Sequence, residues 1–129
     1  MADFNDQFQK FTDTPDKTSS MDPKDIEQNK VMAILAYLWL LVLVPIFAAR
    51  ESKFATFHAN QGLILAIAEI ALGLVSLILG WIPILGILIS IVCWIAGLCL
   101  LILAIIGIVN AANGKAKELP IIGKIRILK

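Results

Sequence analysis

The feature that most constrains this chain is the stretch between Lys53 and Lys115, in which Glu69 is the single Asp, Glu, Lys or Arg residue. A helix in a soluble core needs about 10–14 apolar residues, whereas a helix that crosses a bilayer needs about 20. The chain is 59% hydrophobic and 16% charged, with a mean hydropathy of +0.86. Soluble domains contain roughly 45–50% apolar residues. The pattern therefore excludes a soluble enzyme and predicts an all-α integral membrane protein.

Three transmembrane helices are predicted, at about residues 31–49, 54–80 and 87–109. Asp22 can cap the free backbone amides that precede the first span, and Pro23 suits the first helical position. Pro45 predicts a kink in this span. An uncharged turn from Trp81 to Gly86 joins the other two spans. The sequence thus predicts one helical domain over residues 22–114, containing a hairpin of helices two and three.

The two ends of the chain differ in charge. Residues 1–30 carry four basic and seven acidic residues, a net charge of −3, and residues 115–129 carry five basic and one acidic residue, a net charge of +4. Residues 1–21 resemble no cleaved signal peptide, and they lack apolar periodicity, so a disordered acidic tail that stays on the mature protein is predicted.

The orientation follows from the basic residues, which cytoplasmic loops retain. With three spans, the loop that carries Arg50 and Lys53 shares a side with the basic tail at 115–129. This predicts an N-terminus outside and a C-terminus inside, in a bacterial cytoplasmic membrane. Lys24 and Lys30, beside the first span, argue for the opposite orientation.

The C-terminal tail, residues 115–129, alternates apolar and basic side chains near its end. Lys124, Arg126 and Lys129 are predicted to lie on the membrane surface against anionic lipids. A short basic run that follows a membrane span directly is closer to lipid headgroups than to a nucleic acid, so no nucleic-acid partner is predicted.

Small residues form one face on each of the last two predicted helices. Lipid gives helices no hydrophobic reason to associate, so small residues at an interface are what permit close contact. The two faces should therefore pack together in the hairpin, with Glu69 near Gly97, and a homo-oligomer could use the same device. The predicted packing positions are Gly62, Ala66, Gly73 and Gly80 on helix two, and Gly86, Ser90, Gly97 and Ala104 on helix three.

Glu69 is the intramembrane polar residue of the sequence, and a charge at this depth costs at least a few kcal/mol. One interpretation is a proton-linked or polar-substrate site at the centre of the bundle. The other is a neutral glutamic acid that bonds across helices to Ser90, to Tyr37 or to a neighbouring subunit. The second requires fewer polar groups, and both stay open at this stage.

Few residues in the sequence point to catalysis. His58 is the single histidine and is interpreted as an interfacial polar residue at the start of helix two, and Cys93 and Cys99 lie six positions apart on one helix. No zinc spacing, phosphate loop or nucleophile elbow occurs in the sequence. The sequence accordingly predicts no catalytic residue, cofactor or metal site.

The segment FATFHANQG, residues 54–62, together with NKVMAILAY at 29–37, resembles the signature of a bacterial family of small membrane proteins of unknown function. That family is similar to the import component of the chloroplast inner-envelope translocon, the Tic family. The resemblance covers about residues 29–122 and marks Phe57, His58 and Gln61 as motif positions. It implies a multi-pass membrane protein without a settled activity.

Two classes of function fit these observations. The first is a non-enzymatic structural or interaction component that resembles Tic-type import components and has an unidentified protein partner. The second is a subunit of an oligomeric transporter or channel, in which Glu69 and the polar start of helix two line a path. Three helices cannot enclose a pore alone, so the second requires self-association.

Overall fold

A computed structural model describes Gln7, residues 14–120 and Ile122. A 3-10 turn at Thr18–Ser20 is followed by α1 (Pro23–Leu35), a 3-10 turn at Trp39–Val42, α2 (Leu43–Ala48), α3 (Lys53–Leu79) and α4 (Leu85–Ala112). Among the described residues the extended pairing is a single isolated bridge. The predicted all-helical class is confirmed.

The beginning of α1 lies where the sequence predicts it. The Asp22 side chain accepts a hydrogen bond from the Lys24 backbone N–H, at 3.0 Å, and Pro23 is the first helical residue. A proline is tolerated there because the first amides of a helix have no partner within it.

The predicted first span, residues 31–49, is not one helix. α1 ends at Leu35, and the chain passes through the Trp39–Val42 turn before α2 begins at Leu43. Trp39 has a φ of 57°, which turns the chain away from the α1 axis. Pro45 lies in the first turn of α2, where its missing N–H costs nothing, whereas a continuous helix would bring its ring against the carbonyl of Leu41. The predicted kink is therefore a complete interruption.

The interrupted segment folds back on itself. Asp25, near the start of α1, accepts a hydrogen bond from the backbone N–H of Phe54 at 3.1 Å and another from the Ser52 hydroxyl. Both ends of the stretch therefore lie together beside the first residues of α3. We call residues 23–52 the folded-back segment.

Within the part of the chain that the structure describes, two helices are long and apolar enough to cross a membrane, α3 and α4. At about 1.5 Å per residue each is roughly 40 Å long, more than the hydrocarbon thickness of a bilayer. The Ser52 side chain caps α3 by accepting from the Ala55 N–H at 3.0 Å. Three transmembrane helices are not confirmed, because the folded-back segment replaces the first predicted span.

The described terminal segments pair with each other. The Lys17 N–H donates to the Ala116 carbonyl at 2.9 Å, and the Glu118 N–H donates to the Pro15 carbonyl at 3.0 Å. Lys17 and Glu118 also form an ion pair at 3.5 Å. This contact corrects the predicted orientation with the N-terminus outside and the C-terminus inside, because paired segments cannot lie on opposite sides of a bilayer. Of the tail predicted to be disordered, residues 1–21, the part at 14–18 contacts the C-terminal segment, and residues 1–6 and 8–13 lie outside the described residues.

Burial is concentrated at the end of the bundle where these segments meet. The buried residues of α3 all lie between Phe54 and Ala66, in its first half. Beyond them, large apolar side chains such as Leu77, Trp94 and Val92 are exposed. Such a surface suits lipid, so the packed core lies at one end of the molecule and holds the site described next.

Candidate functional site: a buried polar network

Three polar side chains meet in the core. His58 and Gln61 lie one turn apart on α3, and Tyr37 follows the end of α1. Their exposed fractions are 0%, 1% and 5%. Polar groups this deeply buried are costly unless they are hydrogen-bonded, so their partners determine what the site can do.

The three side chains bond to one another. Tyr37 Oη lies 2.5 Å from His58 Nδ1, and Gln61 Nε2 donates to Tyr37 Oη at 2.6 Å. Since the tyrosine oxygen already accepts from Gln61, its own hydrogen is free to be donated to His58 Nδ1.

The other ends of the network reach the C-terminal segment. His58 Nε2 lies 2.8 Å from the Lys115 carbonyl, and the Leu119 N–H donates to Gln61 Oε1 at 2.6 Å. A carbonyl can only accept, so Nε2 carries the hydrogen and Nδ1 accepts from Tyr37. The histidine is neutral in this arrangement. A continuous chain of hydrogen bonds thus runs from Leu119 through Gln61, Tyr37 and His58 to Lys115.

Aromatic rings surround the histidine. The rings of Phe54, Phe57 and Tyr37 meet the imidazole edge to face, with centroid separations of 4.9, 5.3 and 5.5 Å. Phe54 is fully buried. These rings exclude water, which strengthens the hydrogen bonds and raises the cost of breaking any of them. His58, interpreted from the sequence as an interfacial polar residue at the start of the helix, is fully buried in the structure, where the folded-back and C-terminal segments cover it.

Two glycines let the helices approach the network. A Cβ atom on Gly62 would lie 1.7 Å from the Ala36 carbonyl oxygen, and one on Gly107 would lie 2.3 Å from the Tyr37 ring. Gly107 is absent from the predicted packing positions. The sequence feature that could have identified Gly107 as a packing position is its place between Ala104 and Ala111 on the small-residue face of α4.

The predicted packing positions fall into two groups. Those near the folded-back segment or the α3–α4 turn are close to a neighbour: Gly62 and Gly86 approach backbone atoms of Ala36 and Gly80, Ala66 is buried, and Ala104 is half-buried. A Cβ atom on Gly80 would meet the Ser76 carbonyl of its own helix. A Cβ atom on Gly73 or Gly97 would meet nothing within 4 Å, and Ser90 is exposed. The structure differs from the predicted packing of the two small-residue faces against each other, because α1 occupies the groove beside α3 and α4. The small residues at the end near the folded-back segment therefore face α1.

Glu69 is half-buried on α3 beside a cavity of about 230 Å³, which also contacts Tyr37, Trp39 and Leu101. Neither predicted partner within the chain bonds to it, since the Tyr37 hydroxyl is taken by the network and Ser90 is exposed. Within residues 14–120 we find no hydrogen bond or ion pair for Glu69. The bond to a neighbouring subunit and the polar-substrate site therefore remain as its alternatives.

The predicted lipid-binding residues Lys124, Arg126 and Lys129 lie outside the described residues. Cys93 and Cys99 are free thiols.

The sequence profile of the magnetosome magnetite crystal formation protein family matches residues 28–128. The magnetosome protein MmsF of Paramagnetospirillum magneticum is 34% identical over 98 residues, which cover 74% of this chain and 82% of the relative. A UPF0132 membrane protein of Methanocaldococcus jannaschii is 35% identical over 98 residues, 71% of this chain and 63% of the relative. The magnetosome protein MamF of P. magneticum is 31% identical over 99 residues, with coverages of 74% and 80%.

No solved structure matches the chain. The relatives confirm a family of small membrane proteins, and a similarity to the chloroplast import component is not shown.

Proposed function

Because the chain belongs to the magnetosome magnetite crystal formation protein family, we propose that it is a non-enzymatic structural component of a membrane. Its working part is a cap at one membrane surface, which we define as residues 14–22, 49–53 and 113–119. The observation that carries this proposal is the buried network, in which Tyr37, His58 and Gln61 use their hydrogen-bonding capacity to hold Lys115 and Leu119.

The charge distribution supports a cytoplasmic position for this cap. Within residues 14–120, all Lys and Arg residues precede α3, occupy its first position or follow α4, and the turn from Trp81 to Gly86 has none. Basic residues near membrane ends are retained in the cytoplasm. With two crossings, both described terminal segments then lie in the cytoplasm. This replaces the three-span arrangement expected from the sequence.

The proposal is tested by loosening the cap. Asp16 and Lys117 form the isolated bridge, so cysteines at these positions, in a chain with Cys93 and Cys99 changed to Ala, should form a disulfide readily. Gln61→Leu removes the acceptor of the Leu119 N–H and should slow this cross-linking severalfold. Ser76→Ala, on the same helix and away from the cap, is the control and should have no effect.

A functional readout completes the test. Variants of this chain are expressed in a P. magneticum strain that lacks MmsF. Relative to the unchanged chain, each variant should support less magnetite formation, in proportion to its loss of cap cross-linking. A Gln61→Leu variant that cross-links normally but abolishes magnetite formation would show a chemical role for the network and refute the structural proposal.

The alternative is a subunit of an oligomeric transporter or channel. One observation favours it: Glu69 faces a cavity at the turn of the folded-back segment and has no partner within residues 14–120. The alternative predicts that the chain, reconstituted as an oligomer in liposomes, conducts protons and that Glu69→Gln abolishes the flux.

A further inference from the structure

The folded-back segment presents a patch of large apolar side chains that the other described residues leave exposed. A contiguous apolar patch on a protein surface marks a place of interaction. The ends of the segment, its neighbours and its backbone indicate what covers this patch. Its members lie in and beside the Trp39–Val42 turn and on α2, with exposed fractions between 37% and 65%: Leu38, Trp39, Leu40, Leu41, Leu43, Val44 and Phe47.

Charged residues lie at both ends of this segment and on one side of the molecule. Lys24 and Asp25 precede the patch, and Arg50 and Glu51 follow it. All four line one cavity together with Lys53, the first residue of α3. The apolar middle therefore extends away from this charged end, alongside α3. Charged ends with an apolar middle are typical of a segment that enters a membrane from one surface and returns to it.

The patch continues the apolar surface of the two long helices. Trp39 lines a cavity together with Glu69 of α3 and Leu101 of α4. In this region Ile67 is 49% exposed and Leu101 is 53% exposed. Among the described elements, α3 and α4 have the length and composition to cross a membrane. Lipid that covers their exposed side chains therefore also meets the turn of the folded-back segment.

The backbone of the turn suits an apolar environment. The amides of Tyr37, Leu38 and Leu41 each donate to the carbonyl three residues earlier, at 3.1 Å. The Leu43 amide donates to the Leu40 carbonyl. The bilayer interior has no water to bond to free amides, so a chain that reverses there must satisfy them within the protein. These short-range bonds do so at the point where the chain leaves α1.

The segment reaches about half-way along the membrane-crossing part of α3. Its turn lies level with residues 62–69 of α3, which leaves residues 70–79 beyond it, about 15 Å of helix. This length is about half of the roughly 30 Å hydrocarbon thickness of a bilayer. In the far half, a Cβ atom on Gly73 or Gly97 would meet nothing within 4 Å. Those stretches of α3 and α4 thus lie beyond the reach of the folded-back segment.

We propose that the folded-back segment is a wedge in one leaflet of the bilayer, with the acyl chains of that leaflet covering its apolar patch. The leaflet on the side of the cap then contains the end of α1, the turn and α2 in addition to α3 and α4. Of the described elements, the other leaflet contains α3 and α4. A helix with its side chains is about 10 Å across, so the cross-section of the protein is roughly twice as large in the cap-side leaflet.

This shape favours membranes in which the cap-side leaflet is convex, since that leaflet then has more room for protein. The proposal rests on the path of the folded-back segment and on two membrane crossings. It does not require the structural role of the cap.

Tryptophan fluorescence tests the depth of the wedge in the full chain. Variants that keep either Trp39 or Trp81, with the other tryptophans changed to phenylalanine, are reconstituted in vesicles whose phospholipids carry bromine at defined depths. Bromine deep in the acyl chains should quench Trp39 most. Bromine near the headgroups should quench Trp81 most, because Trp81 lies in the turn after α3. If Trp39 is not quenched, or is quenched at headgroup level alone, protein or water covers the patch and the proposal is overturned.

The two orientations of the chain in vesicles test the preference for curvature. Lys117→Cys, in a chain with Cys93 and Cys99 changed to Ala, places a thiol in the cap, and an impermeant maleimide labels the molecules whose cap faces outward. The ratio of outward to inward caps should be severalfold higher in small sonicated vesicles, whose outer leaflet is strongly convex, than in large extruded ones. A ratio that does not depend on vesicle size would overturn the proposal.

A pair of variants separates the wedge from the bulk of the cap. Trp39→Gly with Phe47→Ala removes two large side chains from the wedge, and glycine tolerates the φ of 57° at residue 39. This variant should lose most of the dependence on vesicle size. Trp94→Ala with Leu77→Ala removes exposed side chains of α4 and α3 instead and should retain it. Equal effects of the two variants would refute the wedge, and normal cross-linking of the cap in that case would leave the structural proposal intact.

Discussion

The substitution of Gly62 by alanine tests how tightly α1 is held against α3. A Cβ atom at this position would lie 1.7 Å from the Ala36 carbonyl oxygen and 2.6 Å from the carbonyl carbon. An ordinary contact between these atom types is about 3.3 Å, so the end of α1 must move by roughly 1.5 Å. Backbone atoms cannot rotate aside as a side chain does, and the displacement is therefore transmitted to the neighbouring residue, Tyr37.

The size of the effect follows from the network. Bonds of 2.5 and 2.6 Å join the Tyr37 hydroxyl to His58 and Gln61, and a 1.5 Å displacement stretches them beyond hydrogen-bonding distance. Two lost hydrogen bonds cost about 0.5–1.5 kcal/mol each, and overpacking adds about 1–3 kcal/mol. We expect Gly62→Ala to lower the free energy of unfolding by about 3 kcal/mol.

Gly73→Ala is the control for this experiment. It makes the same chemical change on the same helix, but its Cβ atom meets nothing within 4 Å. Alanine is a better helix former than glycine, so this variant should be as stable as the parent or slightly more stable. Denaturant unfolding in detergent micelles, followed by tryptophan fluorescence, measures both. If Gly62→Ala is as stable as Gly73→Ala, the close approach of α1 to α3 is refuted.

Three further predictions concern other parts of the molecule. Gly107→Ala should destabilise by about 2 kcal/mol in the same unfolding assay, because the Tyr37 ring must move, and an unchanged midpoint would contradict this packing. Glu69→Leu should leave the unfolding free energy of the monomer unchanged within about 0.5 kcal/mol, since no bond within residues 14–120 is lost; a clear loss would reveal a partner. Hydrogen bonds from Thr18 hold the pKa of Asp16 below its ordinary value of 3.8, so its contribution to the cap is present above about pH 4 and lost as the pH falls through the lowered value. The distance between spin labels at residues 17 and 116 should then increase in acid, and Asp16→Asn should remove this pH dependence.

The long apolar helices could be predicted from hydropathy. Spans predicted at about 54–80 and 87–109 correspond to Lys53–Leu79 and Leu85–Ala112, because length and lack of charge determine whether a helix can cross a bilayer. The start of α1 could also be predicted, since the cap of Asp22 and the place of Pro23 depend on neighbouring residues alone.

The folded-back segment could not be predicted in the same way. An apolar count over residues 31–49 measures the length of the stretch and contains no information about its path. The local evidence was Pro45, which restricts a helix to begin shortly before it. Whether the chain then continues or returns depends on Asp25 and its bonds to Ser52 and Phe54, contacts between residues almost thirty positions apart.

The polar network shows how far a sequence can lead toward a site of this kind. His58 and Gln61 stand one turn apart at the start of an apolar helix, so the sequence already shows that both need hydrogen-bond partners if the helix is buried. It does not show that backbone groups supply two of these partners, because every residue has such groups.

The backbone groups that bond to the pair are placed by the end of α4, where Gly114 has a φ of 71° and turns the chain back toward α3. The asparagine and glycine at 113–114 are typical of the end of a helix, and their further consequence is that Lys115 and Leu119 return to His58 and Gln61. A polar pair in an apolar helix, followed later by a left-handed glycine, therefore indicates an anchored terminal segment as well as an active site, and the geometry here is that of the anchor.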